Sequence, residues 1–231
     1  MYFKNMGLQV QSPGILNPVD INDVYFDFDD FQKCPVTAED YTLTQASTGT
    51  MALSAGADNG VLLLDCNSAT TTQGAQIQRV AASFTPKAGR TIWFETRIKV
   101  ADTGSLATAG EIFAGLAEID TTIIGTSAVS TSNHIGFSSV TDNGVLLANS
   151  EKADTGDTGT GTTIAEDTYV VLGFKVNGVT DIEFYVNGTL TDKHVTASIP
   201  IVALAPSFVM QSSGTTDPIM HIDYWTCMQT R

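Results

Sequence analysis

The stretch Thr91-Ile92-Trp93-Phe94-Glu95-Thr96-Arg97-Ile98-Lys99-Val100 alternates without a break. Ile92, Phe94, Thr96, Ile98 and Val100 fall on one side, and Trp93, Glu95, Arg97 and Lys99 on the other. Successive side chains of an extended chain point to opposite faces, so this run fits a strand with one buried and one wetted face. On a helix the same order would scatter its apolar residues around the whole circumference. No stretch of eleven or more residues holds a helical period instead.

Runs of the same kind recur along the chain. Val24-Tyr25-Phe26-Asp27-Phe28-Asp29-Asp30-Phe31 puts Tyr25 and Asp27 on one face and Phe26 and Phe28 on the other. Further strands are expected at 61–64, 76–80, 111–118, 134–140, 145–147, 169–176, 181–186, 199–210 and 219–227. Asn187-Gly188 and Asn177-Gly178 stand between alternating runs, where both residue types tolerate the positive φ of a tight hairpin turn. Asp58-Asn59-Gly60 and Asp142-Asn143-Gly144 are both followed by Val-Leu-Leu; a match this short is shared hairpin chemistry and not an internal repeat. Residues 153–163, dense in Thr, Gly and Asp, read as a flexible loop. Many short strands with turn-marked spacing give an all-β, two-sheet antiparallel sandwich at residues 24–231. Residues 1–23 form an extended N-terminal arm, in which Pro13, Gly14 and Pro18 break any period and Tyr2, Phe3, Leu8, Val10, Ile15 and Leu16 are apolar. The arm either packs along its own domain or docks on a neighbour.

Composition narrows the partners. Hydrophobic residues make up 42% of the 231 and charged residues 16%, enough for a sizeable core and against disorder. The formal net charge of −14 repels phosphate backbones and anionic lipid, so neither a nucleic-acid nor a membrane partner is expected. That charge serves solubility or meets a basic partner. Cys34, Cys66 and Cys227 are odd in number and far apart, giving neither a disulfide framework nor a zinc site; Cys66 and Cys227 lie in apolar runs as core thiols. The opening residues lack a basic segment followed by an apolar one, so no signal peptide is expected.

The search for chemistry ends empty. Glu118-Ile119-Asp120 matches the start of the Glu-x-Asp-x-(x)-Glu strand of jelly-roll glucanases, but Thr122 and Ile123 occupy both places for the third acid. Without that carboxylate a double displacement has no acid/base partner. Asp154 and Asp157 sit in a Gly/Thr-rich stretch but form no calcium-loop pattern, and His134, His194 and His221 are isolated. Gly136-Phe137-Ser138-Ser139-Val140 fails the nucleophile-elbow pattern at its last position. No catalytic residue, metal or cofactor is expected.

The strand series resembles the concanavalin A-like (laminin-G-like) jelly-roll proteins among the virion structural proteins of tailed bacteriophages. The resemblance rests on residues 25–31, 92–99, 113–118, 134–137, 169–174, Ile182-Glu183-Phe184-Tyr185-Val186-Asn187-Gly188 and 220–225. It implies a jelly roll and a non-enzymatic decoration (cement) protein, made in the host cytoplasm and carried on the capsid surface of the virion. The implied partners are the major capsid protein and further copies of the chain, as a homotrimer, with the arm as the clamp. A second expectation is a lectin-like carbohydrate-binding module, with Trp93 as the platform on which a sugar would stack.

Overall fold

The computed structural model describes residues 23–231 except 47, 58, 102–109, 126–128, 140–143 and 215. The arm residues Tyr2, Phe3, Leu8, Val10, Ile15 and Leu16 therefore lie outside the described residues. Among the described residues, fifteen strands form two antiparallel sheets, with one short 3-10 turn at Thr196–Ser198. The eight-stranded sheet runs β13 (Thr189–Val195), β12 (Asp181–Val186), β11 (Val170–Asn177), β6 (Thr91–Ala101), β15 (Ile219–Thr230), β4 (Leu62–Asp65), β3 (Thr50–Leu53). Strand β1 (Val24–Asp29) also pairs with β15, along its C-terminal half. The seven-stranded sheet runs β10 (Thr155–Thr163), β9 (Val145–Lys152), β8 (Asn133–Ser139), β7 (Glu111–Ala117), β14 (Ala205–Gln211), β5 (Gly74–Arg79), β2 (Tyr41–Ala46).

The expected alternation is realised on β6, whose even-numbered residues are fully buried between the sheets. Phe94 stacks on Phe174 at 4.9 Å, and Phe174 leads on to Phe184. Phe137 from the opposite sheet meets Phe184 edge-on at 5.5 Å. Edge-to-face and offset pairs of this kind add to the burial of the rings and fix how the sheets sit on each other. Cys66 and Cys227 are buried there as thiols, and burial holds the Cys227 thiol well above the ordinary range; Cys34 is exposed.

A polar thread crosses the same core. Trp225 Nε1 donates to Tyr41 Oη (2.6 Å), which donates to Asp29 Oδ2 (3.0 Å). Arg79 lies over the Tyr41 and Trp225 rings and pairs with Asp27 at 3.1 Å. Hydrogen bonds from Trp225 through Tyr41 to Asp29, and from Arg79 to Asp27, thus tie β15 and β1 to β2 and β5 of the other sheet, leaving neither the Trp225 indole nor the Tyr41 phenol unsatisfied.

Asn187 and Gly188 carry φ of 48° and 76° between β12 and β13, the tight hairpin expected of them. Asn177 instead ends β11, paired with Asp181, and Gly178 turns the chain with φ 63°. Asp142 and Asn143 lie outside the described residues.

The expected loop at 153–163 is a strand. Ala153 and Asp154 make the turn with φ of 46° and 66°, and β10 pairs back along β9 from Thr155↔Lys152. Alternate Thr residues suit an extended edge strand, and Gly answers a close approach. A Cβ on Gly159 would collide with the Asp192 carboxylate, which accepts the Thr160 backbone N–H. Low hydrophobicity along β10 follows from its place at the sheet edge.

Candidate functional site

Period-2 alternation sends Gln76 and Gln78 of β5, Phe113 and Ala117 of β7, and Val209 of β14 to the outer face of the seven-stranded sheet. The chain leaving β7 folds back over that face. Ile123, Ile124 and Val129 pack on Phe113, Ala117 and Val209, forming a second, smaller apolar cluster. Two glutamines hold this roof down. Gln78 Nε2 donates to the Glu118 carbonyl (2.8 Å) and to Ser207 Oγ (2.8 Å), while its Oε1 accepts the Asp120 N–H (3.1 Å). Gln76 Nε2 donates to the Asp120 carbonyl (2.6 Å), and its Oε1 accepts the Ile123 N–H (3.0 Å).

Glu118 and Asp120 lie in this roof, beyond the end of β7. The Glu118 carboxylate accepts from Asn133 Nδ2 (3.1 Å). One Asp120 oxygen caps the Thr122 N–H (2.9 Å) and the other accepts from Thr131 Oγ1 (3.2 Å). These carboxylates organise the loop and do not share a strand face. Beside the roof a groove of about 450 Å³ remains open, bordered by Thr44, Thr72, Gln76, Thr121 and Gln211.

The interior holds a serine–histidine pair that no spacing announced. His194 Nδ1 and Ser150 Oγ are 2.7 Å apart; Ser150 Oγ donates to Ser198 Oγ (2.8 Å), which donates to the Val195 carbonyl. His194 and Ser150 are at most 1% exposed, and the ring packs against Phe184 at 4.7 Å. Burial lowers the His194 pKa, against the pull of Asp157 and Asp192. Such a pair is a structural clasp. His134 is also buried, between the Thr131 carbonyl (2.8 Å) and Asn149 Oδ1 (3.0 Å), and His221 is half-buried. Among the described residues no three of His, Cys, Asp and Glu gather as a metal site.

On the outer face of the eight-stranded sheet, Trp93 departs from its expected role as an open platform. Its ring is only 7% exposed and packs with Met228, Val24 and Tyr185. The aromatic surface lies instead on β1, where Phe26 is 50% exposed and stacks on Phe28 at 6.4 Å. Nearby, Glu95 accepts from Tyr224 Oη (2.8 Å), and burial raises its pKa. Arg97 lies 3.9 Å over the Tyr169 ring and pairs with Asp223 at 2.5 Å.

No protein-family model matches the chain, and no curated protein sequence matches it. Solved structures do match along nearly its full length. A protein of unknown function from Shewanella oneidensis MR-1 superposes with a TM-score of 0.63 at 15% identity, covering 95% of this chain and 96% of that one. Peanut lectin gives 0.62 at 13% identity, over 90% and 98%. The Bacillus licheniformis β-glucanase gives 0.59 at 14% identity, over 87% and 96%. The fold is a concanavalin A-like jelly roll.

Proposed function

We propose that this chain is a non-catalytic binding module that attaches to a virion capsid. The observation that carries the non-catalytic reading is the roof over the seven-stranded sheet. The two carboxylates nearest to a glucanase pattern, Glu118 and Asp120, are spent on Asn133, Thr122 and Thr131. The face beneath is filled by Ile123, Ile124 and Val129. A retaining glycosidase needs two carboxyl groups about 5–5.5 Å apart across an open cleft. Among the described residues of this roof no further acid stands beside these two, and both are engaged in the loop.

For attachment, the exposed Phe26 and its neighbour Phe28 lie on β1, directly after the apolar N-terminal residues. Aromatic side chains at a surface are favoured anchors between proteins. The capsid as partner, and a trimer as the bound form, come from the resemblance to phage decoration proteins. The test is sedimentation of the chain with purified capsids, comparing the full chain, a deletion of residues 1–22 and the F26A/F28A double variant. Loss of binding in both variants is expected; full binding by both sinks the attachment surface, and no binding by the full chain sinks the capsid reading.

A lectin-like module is the second reading, favoured by the groove beside the roof, whose amide and hydroxyl side chains suit sugar hydroxyls. Peanut lectin shares the fold. A glycan array with and without calcium decides it: binding that is lost when Gln211 or Thr121 is enlarged supports the module, and no binding in either condition removes it.

A further inference from the structure

Asparagine is followed by glycine at 59, 143, 177 and 187. Such an asparagine can lose its side-chain amide without an enzyme, because no Cβ on the glycine shields the main-chain nitrogen that attacks it. The reaction needs the asparagine side chain free to swing onto that nitrogen, so the fold decides which pair reacts. Asn143 lies outside the described residues. Of the others, Asn187 is held twice. Its Oδ1 accepts the Val171 N–H (3.0 Å), its own N–H donates to the Val171 carbonyl (2.8 Å), and the Val186↔Thr189 pair closes the turn. Asn177 Nδ2 donates to Asp181 Oδ1 (2.6 Å), and Gly178 is buried.

Asn59 differs from both. It is exposed, and among the described residues no hydrogen bond holds its side chain or the Gly60 N–H. The two residues carry left-handed φ of 68° and 78° in the long link between β3 and β4, which Ser54 N–H and the Val61 carbonyl close at its base (2.8 Å). Gly60 also stands where a change in the main chain would be felt. A Cβ there would overlap the Phe31 carbonyl, so nothing larger than glycine fits against residues 30 and 31. Phe31 is fully buried, its N–H bound to Asp29 Oδ1 (2.8 Å) and its ring 6.3 Å from that of Tyr41.

We infer that Asn59 is a site of spontaneous deamidation, reacting ahead of Asn177 and Asn187, and that its isoaspartyl product strains the seat of Phe31. The Gly60 nitrogen bonds to Asn59 Cγ, the Cγ–Nδ2 bond breaks, and the amide leaves as ammonia with the proton from the Gly60 nitrogen. Water then opens the cyclic imide. Attack at Cγ gives an aspartyl residue. Attack at the main-chain carbonyl gives an isoaspartyl residue, whose backbone runs through Cβ and Cγ and is one methylene longer. Either product adds a carboxylate to a chain already at −14, but only the second lengthens the chain beside the Phe31 carbonyl.

The test is incubation of the full chain in mildly alkaline buffer, followed by peptide mapping with electron-transfer fragmentation, which separates aspartyl from isoaspartyl products. Asn59 should convert first, with Asn177 and Asn187 about tenfold slower, the cost of breaking the hydrogen bonds that hold them. In urea the three rates should converge, since the fold alone sets them apart. The aged chain should melt below N59D, which carries the same added charge on a main chain of ordinary length. Equal rates in the folded chain, or Asn177 or Asn187 converting ahead of Asn59, overturn the site. A ranking that persists in urea overturns it as well, by placing the selectivity in local sequence. An aged chain that melts together with N59D overturns the strain on Phe31.

Discussion

Gly159 carries no side chain because the Asp192 carboxylate stands where one would be. Under that crossing lies His194, its Nε2 buried and without a partner. A buried imidazole resists protonation, and desolvation lowers the His194 pKa below its ordinary 6.5. As pH falls, the unfolded chain therefore takes up the proton first. The stability from this group is complete above the ordinary histidine value and is lost as pH drops from there toward the lower folded value. The melting temperature should fall between pH 7.5 and 5.0, and by less in H194Q, whose amide still meets Ser150. Thermal melts of both proteins across that range check it. Equal slopes would mean that His194 is not the titrating group. His221, lowered by burial and by Lys99, adds a share that the variant leaves in place.

At the scale of the element, the roof of residues 118–131 depends on two side chains of β5. Truncating Gln78 to Ala strands the Glu118 carbonyl and the Asp120 N–H under the loop, while Ser207 Oγ keeps its bond to the Ala205 carbonyl. A loss of about 2–3 kcal/mol is expected, from unsatisfied buried groups. It should appear as a lower urea midpoint at unchanged slope, together with faster protease cleavage between 118 and 131. Cleavage at the wild-type rate would show that the apolar contacts of Ile123 and Ile124 suffice. This element was illegible in the sequence for a definite reason. Gln76 and Gln78 alternate with Ile77 as wetted strand residues do, yet they are 5% and 2% exposed, because a later segment covers them. Trp93 misled in the same way, since alternation assigns a face and says nothing of what lies on it. Strand β10 was hidden by its Thr/Gly composition, in which Gly159 answers a contact with Asp192 of β13 far along the chain and Gly161 a close approach to the Leu146 backbone of β9. By contrast β6, β12 and the Asn187-Gly188 turn were legible, because pleat and turn chemistry are local.

The whole molecule is a sandwich whose aromatic core is closed on both sheets, carrying 25 acidic against 11 basic side chains. Excess charge of one sign destabilises a compact state by self-repulsion. Raising the salt from 10 to 150 mM shortens the screening length from about 30 to about 8 Å. The melting temperature should therefore rise by a few degrees in sodium chloride over that range. A flat or falling curve would show that local pairs such as Arg79–Asp27 outweigh the net field.

Strand β15, last in sequence, is central in its sheet, held by β6 on one side and by β4 and β1 on the other. A nascent polypeptide stalled before residue 219 has every other strand synthesised and yet holds three with their edges open to any passing chain. The ribosome must release this stretch before the sandwich can close, so folding runs through distant contacts, a slow route. Unfinished copies should accumulate as aggregates on chaperones rather than as partly working modules.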